Sequence, residues 1–264
     1  MKLTTATGIR ALIVISAATI IVSCGNMSVT PNYYSVSSWK EGPDIAKAND
    51  QLLTQQQRDS YTNDAEILAV RYINKRDSTQ TEIPNNLISL FYNGLVHIAT
   101  SDLPEAREAT NLYNVHALAP DPREIIVSVK TNTPWANMWE NGNTLTGNNT
   151  VDELTNRFDF ILSDYRKLNT SILVTLRSNR AINGSAVGRL FEQVDEIQYA
   201  GPDGIIGDGS DITVLFFNNY LQYNFSFGFG DCPSGCTSNH TWKFNVYNTG
   251  KVKFIGEEGP LPVD

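Results

Sequence analysis

The chain reads as an α+β protein built from N-terminal helices, a ferredoxin-like βαββαβ unit and a C-terminal antiparallel β-meander. Three observations predict this. Residues 64–75 and 84–100 repeat apolar side chains at helical spacing, residues 124–200 switch between periods 2 and 3.6 in the order β-α-β-β-α-β, and residues 211–257 alternate almost throughout.

The helical region spans residues 61–100. Its first helix, 64–75, puts Ala65, Leu68, Ala69, Tyr72 and Ile73 on one stripe, and its second, 84–100, does the same with Leu87, Leu90, Phe91, Leu95 and Ile98. Pro84 suits the first turn of the second helix, where its missing N–H costs nothing. His97 falls close to that apolar face and is expected to pack there half-buried rather than to hold a ligand.

In the mixed α/β region, 124–200, Ile125, Val127 and Val129 alternate as a strand. Thr150-Val151-Asp152-Glu153 then has the form of a capping box opening a short helix. Phe158, Phe160 and Leu162 alternate, as do Ile172, Val174 and Leu176, with a turn at 167–170 between them, so the two segments form a hairpin. Val187, Leu190, Phe191 and Val194 return to helical spacing before a strand at 197–200. In the last quarter Leu221, Tyr223, Phe225, Phe227 and Phe229 alternate without a break, and Trp242, Phe244 and Val246 face Val252 and Phe254 across Asn248-Thr249-Gly250. Residues 211–217 add one more strand, either to the first sheet or to a second.

The N-terminus carries an address. Lys2 and Arg10 flank an apolar run, 11–21, that is too short for the roughly 20 residues of a membrane-spanning helix but fits the core of a secretory signal. Ile21-Val22-Ser23-Cys24-Gly25 closes it and resembles the bacterial lipobox, which implies cleavage after residue 23 and a diacylglyceryl thioether on Cys24. Buried methylenes contribute roughly 0.8 kcal/mol each, so two or more acyl chains hold a protein at the bilayer. Gly25, where inner-membrane retention would use Asp, points to the outer membrane. Residues 24–44 are polar and aperiodic and read as a tether reaching about 25 Å, followed by a single domain from 45 to 264.

The net charge is −8, and the leader contributes two basic residues and no acid, so the remaining 241 residues carry −10. An acidic chain without basic clusters argues against nucleic acid and against charge-driven docking on anionic lipid. The expected partners are the membrane, through acylated Cys24, and an envelope protein or glycan; no cofactor is expected.

Beyond Cys24 the cysteines are Cys232 and Cys236, which in an exported protein pair as a disulfide closing a short loop. A metal site with His240 would lack a fourth ligand. Candidate binding residues are Trp135 and Trp139, set beside amide-rich loops, with Asp231 and His240; the other reading of the two indoles is that they cover the sheet edge or fill the core. Asp203, Asp208 and Asp211 lie in a glycine-rich stretch that reads as a tight turn before a strand; as a calcium loop it would be a single incomplete copy without the EF-hand spacing. Ser185 lacks a nucleophile elbow, and a catalytic set would have to be assembled from Asp231, Ser234 and His240.

Gly228-Phe229-Gly230-Asp231-Cys232-Pro233-Ser234-Gly235-Cys236, followed by His240 and Trp242-Lys243-Phe244, resembles the C-terminal signature of uncharacterised envelope lipoproteins of Bacteroidetes. The similarity extends through Glu82-Ile83-Pro84, residues 135–139, Thr146-Gly147-Asn148 and Gly207-Asp208-Gly209. The signature has Trp where this chain has Phe229, and a further aromatic where it has Asn239 or Thr241. The resemblance implies export and architecture but transfers no mechanism. The sequence therefore points to a lipid-anchored binding or structural module, with an envelope hydrolase or a calcium-dependent binding protein as alternatives.

Overall fold

The computed structural model describes residues 43–204, 208–232 and 235–261. The leader, Cys24, the tether up to residue 42, Gly207 and Ser234 lie outside the described residues. The tether boundary at 44 falls slightly late, because Pro43 is already buried and the residues after it are tied down. The Ala46 N–H donates to the Asn248 carbonyl at 2.9 Å, and the Ala48 N–H donates to Asn93 Oδ1 at 3.1 Å.

Helix α1 (Gln55–Arg76) starts nine residues before the periodic stretch. Those residues are mostly polar, so they carry no apolar period, and the start is encoded by a capping box instead. Thr54 accepts from the Gln57 N–H, and Gln57 Oε1 accepts from the Thr54 N–H at 3.0 Å. Helix α2 (Asn85–Ala99) has Pro84 as its N-cap, one position outside the first turn, and buries all five residues of the expected stripe. A short helix α3 (Pro104–Arg107) runs into a π turn (Glu108–Leu112).

Strand β1 (Glu124–Lys130), helices α4 (Asn137–Glu140) and α5 (Asn149–Arg157), strands β2 (Phe160–Lys167) and β3 (Ser171–Ser178), helix α6 (Gly184–Phe191) and strand β4 (Ile197–Gly201) follow in that order. Their sheet has the order β2-β3-β1-β4 and every pair is antiparallel, which is the ferredoxin-like split unit. Ile125, Val127, Val129, Ile172, Val174 and Leu176 face the helices and are buried. The helix at 150 is capped otherwise than expected. Asn148 is the N-cap, accepting from the N–H groups of Thr150 and Val151, so Thr150 sits inside the first turn and Glu153 is exposed. Asn is as good a cap as Thr, and the carboxylate that reaches back belongs to Asp152, which accepts from the Thr146 and Gly147 N–H groups.

Strands β5 (Asp211–Phe216), β6 (Tyr220–Phe229), β7 (Ser238–Tyr247) and β8 (Val252–Glu258) form a second, separate antiparallel sheet in meander order. Its inner face carries Ile212, Leu221, Tyr223, Phe225, Trp242, Phe244 and Val246, all buried against α1 and α2. Phe227 and Phe229 continue the alternation but are only half-buried. Gly94 on α2 lets Tyr223 approach, and the Tyr223 hydroxyl donates to the Phe91 carbonyl at 3.1 Å.

Two apolar cores result. One draws on residues 45–115 and 212–246 with Ala181, the other on residues 125–200, so the ferredoxin-like unit interrupts the chain of the helix and meander layer. The linker between them is fixed to α1 by two buried acids that the sequence did not single out. Asp64 accepts from the Ala117 N–H and lies 2.6 Å from His116 Nδ1, while Glu66 takes a bidentate fork from Arg123.

Candidate binding face

The tryptophans expected on an exposed loop belong to the ferredoxin-like core. Trp139 is fully buried and its indole N–H donates to the Thr144 carbonyl at 3.1 Å. Trp135 is half-buried and meets it edge to face at 5.3 Å. The neighbouring amides suggested a loop, but the 3₁₀ turn at Pro134–Ala136 and α4 fold the indoles inward, where their area is better buried.

His240 is likewise buried rather than presented. Its ring stacks edge-on against Trp242 at 4.4 Å, Nδ1 lies 3.1 Å from the Gly259 carbonyl, and Nε2 lies 3.6 Å from Glu257, too far for a hydrogen bond. Alternation alone explains this, because residue 240 shares the inner register of Trp242 and Phe244. Asp231 is exposed in the turn after β6. The other two histidines are also engaged: His97 Nε2 lies 2.8 Å from the Ala46 carbonyl, half-buried as expected, and His116 lies between Asp64 and Asn114.

The three aspartates of the glycine-rich stretch do not converge. Asp211 accepts from both terminal nitrogens of Arg71 and from the Leu118 N–H, Asp208 accepts from the Cys236 N–H, and Asp203 accepts from the Gly204 N–H. Among the described residues no group of three or more His, Cys, Asp or Glu side chains is placed to hold a metal ion. The Cys232 and Cys236 sulfurs are paired at disulfide distance, 2.31 Å. The aspartate loop and the cysteine loop are joined to each other, since the Asp208 N–H also donates to the Cys232 carbonyl at 3.1 Å.

A groove of about 230 Å³ runs between α1 and the start of α6, lined by Ile67, Arg71, Asp121, Glu124 and Ser185 among others. Its charges are already committed, Arg71 to Asp211 and both acids to Arg177.

The outer face of the meander has a different character. The β6 residues Gln222, Asn224 and Ser226 lie beside Asn245, Lys243 and Thr241 of β7, and Asn224 lies beside Thr213 of β5. The side chains form a linked row: Gln222 donates to Asn224 Oδ1 at 2.9 Å, Asn224 donates to Thr213 Oγ1 at 3.3 Å, and Thr241 donates to Ser226 Oγ at 3.2 Å. Lys243 pairs with Glu258 at 2.7 Å. Asn245 is buried in this row, and its Oδ1 has no hydrogen-bond partner among the described residues.

At one end of the same face stands an aromatic cluster. Phe217, 39% exposed, stacks on Tyr220 at 4.5 Å with 16° between the rings, and Tyr220 meets its cross-strand partner Tyr247 at 5.4 Å. At the other end Gly228 lies under Cys236, where a Cβ would come within 2.5 Å of the sulfur. The alternation in the sequence sorts this sheet by its apolar face and assigns the opposite positions no role. The signal was the run of amides and hydroxyls at the even positions of β6, in register with a second such run on β7. No family model, no curated protein and no solved structure matches the chain.

Proposed function

We propose that the chain is a lipid-anchored cell-envelope protein that works by binding rather than by turnover. The anchor half of this reading is supported by the short apolar leader ending at Cys24. The binding half is carried by one observation: the meander has one face packed under α1 and α2 and the opposite face built from linked amide and hydroxyl groups ending in an aromatic cluster with Phe217 exposed. Such a face is ordered before any ligand arrives, which lowers the entropic cost of association. The hydrolase alternative drew on Asp231, His240 or the aspartate loop; the His240 ring is enclosed by Trp242 and the Gly259 carbonyl, and the three aspartates of the loop do not converge.

The test has two arms. Metabolic labelling with a fatty acid and membrane fractionation should place the wild-type chain, acylated, in the outer membrane, and Cys24→Ser should abolish both label and attachment. A photo-crosslinker at position 224 in intact cells should then form adducts that one at exposed Glu153, outside the face, does not. An unmodified Cys24 in a soluble periplasmic protein would overturn the anchor, and equal labelling from both positions would overturn the binding face.

A further inference from the structure

We propose that the ligand of the outer meander face is a neutral glycan, running from the aromatic cluster of Phe217, Tyr220 and Tyr247 toward Gly228. This rests on the binding reading above and specifies its chemistry.

A sugar ring offers two kinds of surface. Its C–H faces stack on aromatic rings, and its hydroxyls each donate and accept a hydrogen bond. The cluster supplies the first requirement, with Phe217 and Tyr220 nearly parallel and Tyr247 beside them. The row of Gln222, Asn224, Asn245, Ser226 and Thr241 supplies the second, because amides and hydroxyls also present both donors and acceptors.

Charge selects among ligands. Lys243 is neutralised by Glu258, which leaves Lys251 and Lys253 as the cations of this face among the described residues. A phosphate- or carboxylate-bearing ligand would call for the bidentate fork of Arg, and the meander strands hold no Arg among the described residues. A protein partner would call for an apolar centre with a polar rim. The order here is reversed, since the centre is amide and hydroxyl while Leu215 sits on the edge strand β5. From Tyr220 to Ser226 the open face extends about 20 Å at 3.4 Å per residue, which suits a short run of sugars rather than a single one.

The experiment is calorimetric titration of the full chain, purified in detergent, with three soluble neutral polysaccharides (galactomannan, xyloglucan and amylopectin) and with polygalacturonate as the charged counterpart. At least one neutral polysaccharide should bind. Phe217→Ala combined with Tyr247→Ala should weaken it tenfold or more, and Asn224→Ala should weaken it several-fold. Thermal unfolding checks that these surface variants remain folded. Absence of binding to every neutral polysaccharide, binding to polygalacturonate alone, or unchanged affinity in folded variants would each overturn the proposal. Failure with every glycan while the crosslinker at position 224 still forms specific adducts removes the glycan and leaves the binding face. Failure of both removes both.

Discussion

The Cys236 N–H donates to Asp208 Oδ2 at 3.3 Å, and the Asp208 N–H returns a bond to the Cys232 carbonyl at 3.1 Å. The cysteine pair therefore holds a neighbouring loop as well as its own. Replacing both cysteines by alanine should leave cooperative unfolding intact, because the meander has its own apolar core, and should cost less than the roughly 3 kcal/mol of a 15-residue disulfide loop. Hydrogen exchange should speed up at the Asp208 and Cys236 amides while the β6 and β7 amides stay protected. Loss of cooperative unfolding would move the disulfide from a local to a global role.

Gly228 is the close-contact point of that assembly. A Cβ there meets Cys236 Sγ at 2.5 Å and the Gly209 carbonyl oxygen at 2.9 Å. Gly228→Ala should destabilise by about 1–3 kcal/mol, the range for forced overpacking. The penalty should shrink in the double-alanine cysteine background, a coupling that denaturant titration of the four proteins measures.

Glu66 and Arg123 form a bidentate pair, with Arg123 Nε donating at 2.8 Å to a carboxylate that is almost fully buried. The carboxylate beside it holds the Arg123 guanidinium even more firmly protonated than usual. Glu66→Ala leaves that cation without its partner and should cost about 2 kcal/mol, and Arg123→Ala should cost a similar amount. The double variant should be less destabilised than the sum of the two, as urea unfolding of the cycle would show.

Burial raises the pKa of the Tyr61 phenol to about 12 and pushes that of Tyr223 higher still. Below the unfolded-state value near 10, both states keep these protons and stability does not depend on them. Above pH 10 the unfolded chain releases protons that the native chain retains, so stability falls as pH rises, by about 1.4 kcal/mol per unit for each such tyrosine. Tyr223→Phe should make the slope between pH 10 and 12 shallower by that amount. An unchanged slope would show that the ring is not the group that titrates on unfolding.

Trp139 and Trp135 separate core from margin. Trp139→Ala should cost about 3–5 kcal/mol as a buried aromatic deletion, while Trp135→Ala, half-buried, should cost clearly less. Thermal melts of the two variants decide the order.

Most of the strand pattern was legible in the sequence because one face of each sheet is apolar and the other is not. Ile125, Val127 and Val129 or Leu221, Tyr223 and Phe225 announce both their conformation and their inner face. The first turns of α1 were not legible from periodicity, since 55–60 is polar and its helix is specified by the Thr54 cap. Nor were Asp64 and Glu66, whose burial depends on partners about fifty residues away in the chain. The sequence left the tryptophans open between loop and core for a related reason: exposure of an aromatic is set by what folds over it, and the turn at Pro134–Ala136 carries no apolar period. The binding face escaped because amides at alternate strand positions look like ordinary solvated surface until cross-strand register aligns them.

The interruption of the first core by residues 125–200 sets an order on assembly. Synthesis delivers α1 and α2 well before β5 to β8, so their apolar stripes stay uncovered until the last quarter of the chain emerges. The intervening unit has its own core and closes mostly on itself, which brings the two separated parts near each other before they join. A chain halted after β4 would thus present a finished sheet next to a helix pair whose inner stripes are bare, the form most exposed to proteases and chaperones.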